Sequence, residues 1–282
     1  MKRVYLDYAA TTPIDGLVEK AMRPYFSEKF GNPSSLHSFG QEALAVVDES
    51  RAEIAESIGA DFREVIFTGS ATEANNLALR GVIKKLEIRN EKLGRINNQK
   101  GKFKILNFEF LIPRIVISAV EHESILETAH DLEKIGVDVI YIPVNREGII
   151  DLIKLKKALN KQTILVSIMY ANNETGIIQP IVEISKIIKN FRKINNSLYP
   201  LFHTDAVQAF QFLDCDVDKL GVDLMTLSAH KIYGPKGVGG LYIKNSKHEA
   251  RNSKQILNSK LEIQNKNVSD FGFRISDLQL LV

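Results

Sequence analysis

Seven short runs of β-branched and other apolar residues recur along the chain, separated by longer stretches of helical period. That is the alternation expected of an α/β protein built on a largely parallel sheet. The runs are Val65 to Thr68, Ile115 to Ala119, Val137 to Ile142, Ile164 to Met169, Leu201 to Thr204, Asp223 to Leu227 and Gly240 to Ile243. Between them, amphipathic periodicity predicts helices at about Gln41 to Ile58, Thr72 to Lys85, Ser124 to Ile135, Leu152 to Leu159 and Ile181 to Phe191. The expected domain is therefore residues 1–244, opening with an N-terminal segment of about 1–30.

Two stretches break the rhythm. From about 86 to 112 the chain is rich in Lys, Asn and aromatics, where an α/β connection of a few residues is usual. From 245 to 282 it again becomes rich in Asn, Ser and Lys. Lys85-Leu86-Glu87-Ile88-Arg89-Asn90 nearly repeats as Lys260-Leu261-Glu262-Ile263-Gln264-Asn265, which points to an insertion and an atypical tail of common origin, foreign to the fold; two surface elaborations of similar composition are the plain alternative.

Composition narrows the function classes. One cysteine, Cys215, among 282 residues rules out an internal disulfide and a multi-cysteine metal site, and favours a reducing compartment. A net charge of +3, with lysines that form no ordered basic face, gives no support for a nucleic-acid partner. His37, His122, His203 and His230 fall in separate motifs, so no metal is expected. No apolar run approaches the ~20 residues that span a bilayer, and the N-terminus turns acidic at Asp7 before a signal-peptide core develops. The expectation is a soluble, cytoplasmic protein with no membrane partner.

Five run ends carry polar residues to what should be one sheet edge. Gly69-Ser70-Ala71-Thr72 joins a strand to a helix start, where free amides and the positive dipole end form a phosphate seat; an ordinary capped turn is the plain alternative. His122 follows the second run, and Asn172-Asn173 follow the fourth. Asp205 ends the fifth, three residues before Gln208, where a carboxylate can hold a heterocyclic nitrogen protonated or simply cap a helix. Ser228-Ala229-His230-Lys231 ends the sixth and enters a Gly/Pro-rich loop; a lysine so placed can form a Schiff base with an aldehyde cofactor if its pKa is lowered.

The whole set resembles the cysteine desulfurases of the class V aminotransferase family, pyridoxal-phosphate enzymes of fold type I. The similarity runs over most of 2–244 and takes in Tyr5-Leu6-Asp7-Tyr8-Ala9-Ala10-Thr11-Thr12-Pro13 and Phe30-Gly31-Asn32-Pro33-Ser34-Ser35. It implies a seven-stranded, mainly parallel sheet between helices, the large domain of that fold. It implies pyridoxal 5'-phosphate on Lys231, phosphate contacts at Ala71, Thr72, Ser228 and His230, and Asp205 against the pyridine nitrogen. Gln208 and Asn173 match positions on the ring-oxygen and substrate side, and His122 matches an imidazole that stacks on the ring and moves protons. The implied reaction takes L-cysteine to L-alanine and passes sulfur to an enzyme cysteine as a persulfide, for iron–sulfur clusters, modified tRNA or other thio-cofactors. A homodimer and a sulfur-acceptor or iron–sulfur scaffold protein are the implied partners.

Two departures qualify the resemblance. The family's nucleophilic cysteine lies on a loop well beyond the lysine motif, in a region expected to be missing here together with the small C-terminal domain. Cys215 matches an apolar position instead, and its flanking carboxylates disfavour a thiolate. Impaired turnover is therefore expected. Another class V activity, such as a selenocysteine lyase or aminotransferase, and a non-catalytic product remain the alternatives.

Overall fold

The computed structural model describes residues 3–92, 103–105, 108–110 and 112–245, with side chains at 3–85 and 112–245. Its elements in chain order are α1 (Gly16–Met22), α2 (Ser38–Ser57), β1 (Val65–Thr68), α3 (Ala71–Lys92), β2 (Phe103–Ile105), β3 (Phe108–Phe110), β4 (Arg114–Ser118), α4 (Glu123–Lys134) and β5 (Asp138–Ile142). There follow α5 (Leu152–Ala158), β6 (Thr163–Ser167), α6 (Ile181–Asn195), β7 (Leu201–Asp205), α7 (Val217–Leu220), β8 (Leu224–Ser228) and β9 (Gly239–Ile243).

The seven expected runs form one seven-stranded sheet in the order β1-β9-β8-β7-β6-β4-β5. Strands β5, β4, β6, β7 and β8 pair in parallel, while β9 runs antiparallel to both β8 and β1. All strands but β9 therefore share one direction. Their C-terminal ends meet at one edge, and the loops that leave β4 and β6 part there, at the switch point where open α/β sheets bind ligands.

Both faces are covered, which is why the strands read as continuous apolar runs. Along β4, Ile115 and Ile117 pack with α3 and α4, next to Leu79, Val82, Ile125 and Leu132. Val116 points the other way, into the cluster that holds Leu155 of α5, Ile184 and Ile188 of α6 and Phe202 of β7. Each such side chain contributes ~1.5–3 kcal/mol when fully buried. His203, on β7, is a polar exception in this core. Its Nδ1 meets Ser167 Oγ of β6 at 2.8 Å and its Nε2 meets Thr226 Oγ1 of β8 at 3.0 Å, so the ring is satisfied on both sides as a rung across three strands. Burial holds its pKa down at about 3.

The structure departs from the sequence expectations at five elements. Helix α3 runs seven residues beyond the expected end, from 86 to Lys92, because Leu86 to Lys92 contains neither Gly nor Pro to stop it. Within the stretch read as an insertion, β2 and β3 pair antiparallel as a small ribbon. Helix α1 was not anticipated; it buries no residue, so it leaves no apolar stripe to read. The four-residue α7 is too short to show a period. The atypical tail from 246 lies outside the described residues, as do 93–102, 106–107 and 111 within the 86–112 stretch. No helix among the described residues is long and apolar enough to cross a membrane.

Candidate active site

The loop after β1 turns into α3 at Gly69-Ser70. Ser70 Oγ accepts from the Glu73 N–H at 3.1 Å and so caps the helix, while Glu73 reaches back to the Gly69 N–H at 2.6 Å. The first amides of α3, at Ala71 and Thr72, have no acceptor within the helix and face outward with its positive dipole end. Glycine is required across from them. A Cβ on Gly239 would stand 2.5 Å from the Ser70 carbonyl carbon, so the start of β9 fits against this turn only without a side chain.

Asp205 ends β7 and is 5 % exposed. Oδ1 accepts from the Val207 N–H at 3.0 Å, closing an Asx turn, and Oδ2 accepts from Asn75 Nδ2 at 2.8 Å. Burial raises its pKa above the ordinary carboxylate value. Those two hydrogen bonds and the nearby charges of His122 and Lys231 work against the rise. Asn75, on α3, uses its second amide proton on Ser124 Oγ at 2.8 Å. Ser124 Oγ lies 2.9 Å from His122 Nδ1, which also accepts from the Ser124 N–H at 3.1 Å. His122 thus caps α4 through Nδ1, which leaves Nε2 turned away from the cap. Asn75 joins the carboxylate to the imidazole in one chain of hydrogen bonds.

Lys231 follows Ser228 by a single 3-10 turn, Ala229–Lys231. Its amine donates to the carbonyl of Ala10 at 2.9 Å and to that of Ala9. Gln208 Nε2 donates to the same Ala9 carbonyl at 2.9 Å. Partial burial lowers the Lys231 pKa, and Asp7 and Asp205 oppose that shift. The N-terminal segment is stitched to the lysine loop beside these contacts. The Thr12 N–H donates to the His230 carbonyl at 2.9 Å, the Tyr233 N–H donates to Thr12 Oγ1 at 2.8 Å, and His230 Nδ1 lies 3.2 Å from Thr11 Oγ1. Burial, with Lys231 and Lys236 nearby, lowers the His230 pKa.

All the expected site residues lie at the C-terminal edge of the sheet, at the ends of β1, β4, β6, β7 and β8. The direct links join Asp205 to His122 through Asn75 and Ser124, and Lys231 to Gln208 through Ala9. Asn173 is half-buried, and among the described residues its side chain has no hydrogen-bond partner. The structural work in that pair falls to Asn172, whose Nδ2 donates to the Val120 carbonyl at 3.0 Å. Asn75 and the carbonyls of Ala9 and Ala10 were not anticipated as site groups. Asn75 could have been read from its place one turn into the helix that follows the phosphate-type turn.

Cys215 stands apart. It is 4 % exposed in the apolar core, and burial with Asp214 nearby pushes its thiol up to about 12. Both its burial and its raised pKa disfavour the thiolate that a nucleophile needs.

The Aminotransferase class-V family profile matches residues 4–94 and 113–268. Among curated proteins, the chain is 51% identical over 245 residues to the cysteine desulfurase IscS of Dictyoglomus turgidum, covering 86% of this chain and 55% of that protein. It is 43% identical over 242 residues to the IscS of Rickettsia massiliae, covering 86% and 52%. The chain therefore spans about half the length of the curated relatives it matches. Among solved structures, a NifS-like protein superposes with a TM-score of 0.75 at 36% identity, covering 87% of this chain and 60% of its own. SspA in complex with cysteine superposes with a TM-score of 0.69 at 36% identity, covering 89% and 62%.

Proposed function

Because the chain belongs to the class-V aminotransferase family, we propose that it is the cofactor-binding large domain of a pyridoxal-phosphate-dependent cysteine desulfurase, which takes L-cysteine to L-alanine and hands on the sulfur. The observation that carries this reading is the shared edge of Lys231 and Asp205, an amine of lowered pKa and a buried carboxyl supplied with hydrogen-bond donors. The identity to proteins named cysteine desulfurase, and the likeness to a protein solved with cysteine, direct the substrate.

The residues present fit the cofactor. Ser228 Oγ is buried without a partner, a free hydroxyl beside the lysine turn where a phosphate oxygen would satisfy it. Ala71 and Thr72 would offer their amides to the same phosphate, with His230 closing the group. Asp205 would face the pyridine nitrogen, and Gln208 and Asn173 the ring-oxygen side. Pyridoxal 5'-phosphate supplies a carbon for covalent attachment and a protonated ring that withdraws electrons from the substrate α-carbon.

The chain's own groups do the rest. Lys231 sheds its proton more readily than an exposed lysine, which favours the nucleophilic amine. Asp205 would offer its carboxylate to a protonated ring nitrogen, and Asn75 fixes its orientation. His122, with Nδ1 committed to Ser124, presents Nε2 as the group that holds and moves a proton. The sole thiol of the 282 residues is buried, so the sulfur-accepting thiolate comes from outside them.

A second copy of this chain is the proposed partner for the N-terminal segment, where Leu6, Phe26, Phe30 and Leu36 are exposed apolar side chains. A sulfur-acceptor or iron–sulfur scaffold protein is the proposed destination of the sulfur. The test is to load the chain with pyridoxal phosphate and supply L-cysteine with a small thiol as acceptor. Alanine formation that Lys231→Ala abolishes supports the reading. Alanine formation only from other amino donors, or turnover of L-selenocysteine alone, contradicts the substrate assignment.

A further inference from the structure

Glu121 precedes His122 in the loop that leaves β4 at the switch point of the sheet. The residue is 5 % exposed, and its Oε1 accepts from the Met169 N–H at 2.7 Å, just past the end of β6. Asn172 ties the same two loops in the other direction, through its bond to the Val120 carbonyl. This crossed pair fastens the loop of His122 to the loop of Asn173, across the point where the strand order reverses.

Glu121 Oε2 is buried with no partner. Among the described residues Glu121 forms no ion pair. The groups that face it are the Ser118 hydroxyl from β4, the Met169 N–H from β6 and the Asp205 carboxyl from β7; the first two favour an anion and the third opposes it. Two buried carboxylates at one edge compete for charge, and the better-supplied one keeps it. Asp205 has two donors and lies near Lys231 and His122, whereas Glu121 has the Met169 N–H and the Ser118 hydroxyl but, among the described residues, no cation against it. Burial, with Asp205 adding to it, holds the Glu121 pKa well above the ordinary carboxylate range.

We propose that Glu121 is a positioning residue carried as the neutral acid, which locks His122 against the β6 loop and leaves Asp205 as the buried anion beneath the cofactor ring. The reading rests on the function proposed above. Its acceptor oxygen places His122, and its proton removes a charge that would compete with Asp205.

Two measurements on the full chain test it. Infrared difference spectra between wild type and Glu121→Gln, without cofactor at pH 7, should show the carbonyl stretch of a protonated carboxylic acid that the variant lacks. Absence of that band overturns the neutral-acid assignment. Titration with pyridoxal 5'-phosphate should give Glu121→Gln an affinity within about threefold of wild type, with the pH midpoint of the Lys231 adduct's absorbance unchanged, since Gln keeps the acceptor. Glu121→Met keeps the length without the acceptor and should bind about tenfold more weakly while unfolding cooperatively. Wild-type affinity in Glu121→Met, or a midpoint lowered by about a unit in Glu121→Gln, overturns the proposal. Absence of a Lys231 adduct in the wild type contradicts the proposed function, and the infrared band then decides the charge of Glu121 on its own.

Discussion

Asn75 donates to the Asp205 carboxylate at 2.8 Å, although 130 residues separate the two in the chain. The same amide bonds Ser124, so one side chain on α3 sets the geometry of the buried carboxyl and, through Ser124, of His122. Asn75→Ala leaves Asp205 Oδ2 buried without that donor, at a cost of ~1–3 kcal/mol. Chemical denaturation should show that loss, and titration should show pyridoxal phosphate affinity falling about tenfold. Unchanged affinity would mean that Asn75 does not orient Asp205.

Gly239→Ala tests the close approach of β9 to the phosphate-type turn. The added methyl meets the backbone of Ser70, not a flexible side chain, so the turn itself must shift. Overpacking of this kind costs ~1–3 kcal/mol. The variant should also bind inorganic phosphate and pyridoxal phosphate more weakly than wild type. Loss of stability with full phosphate affinity would uncouple the turn from the anion seat.

His203 makes stability depend on pH with a definite sign. Its pKa is lowered from 6.5 to about 3, so the unfolded chain binds the proton first and stability is lost as pH falls from about 6.5 toward 3. One group contributes a slope of about 1.4 kcal/mol per pH unit inside that window. The raised pKa of Glu121 acts in the opposite sense, its contribution fading as pH rises above the ordinary carboxylate value. The difference between wild type and His203→Gln isolates the histidine: the wild-type advantage should shrink as pH drops from 6.5 and stay level above it. An advantage independent of pH would show that His203 titrates alike in the folded and the unfolded chain, against the lowered pKa.

Much of this architecture is legible in the sequence, for reasons particular to each element. The β-branched runs locate all seven sheet strands because both faces of the sheet are buried, so hydrophobicity does not have to alternate. Asp205 and Lys231 are legible because each ends an apolar run. Asn75 and the Ala9 and Ala10 carbonyls are not, since their roles arise from contacts as distant as 222 residues and, for the alanines, from backbone atoms that carry no sequence signature. His122 shows how one residue can carry two readings, for it caps α4 with Nδ1 while Nε2 is the nitrogen the proposed function uses. Glu121 hides in the same way: a glutamate in a loop next to a helix start reads as solvated until the neighbouring loop closes over it.

Cys215 should not react with an aromatic disulfide reagent in the native chain and should react fully on denaturation, since its thiol is buried and its pKa raised to about 12. Cys215→Ala should leave pyridoxal phosphate binding unchanged. Rapid native labelling, or loss of cofactor binding in the variant, would give this cysteine a part that its burial denies it.

The most direct test of the central claim is to incubate the purified chain with pyridoxal phosphate, reduce it with borohydride and map the modified lysine by peptide mass spectrometry beside Lys231→Ala. Label on Lys231, absent from the variant and weakened by Asp205→Asn, is the predicted result. Label scattered over surface lysines, or retained in the variant, would contradict the assignment of this sheet edge as a pyridoxal phosphate site.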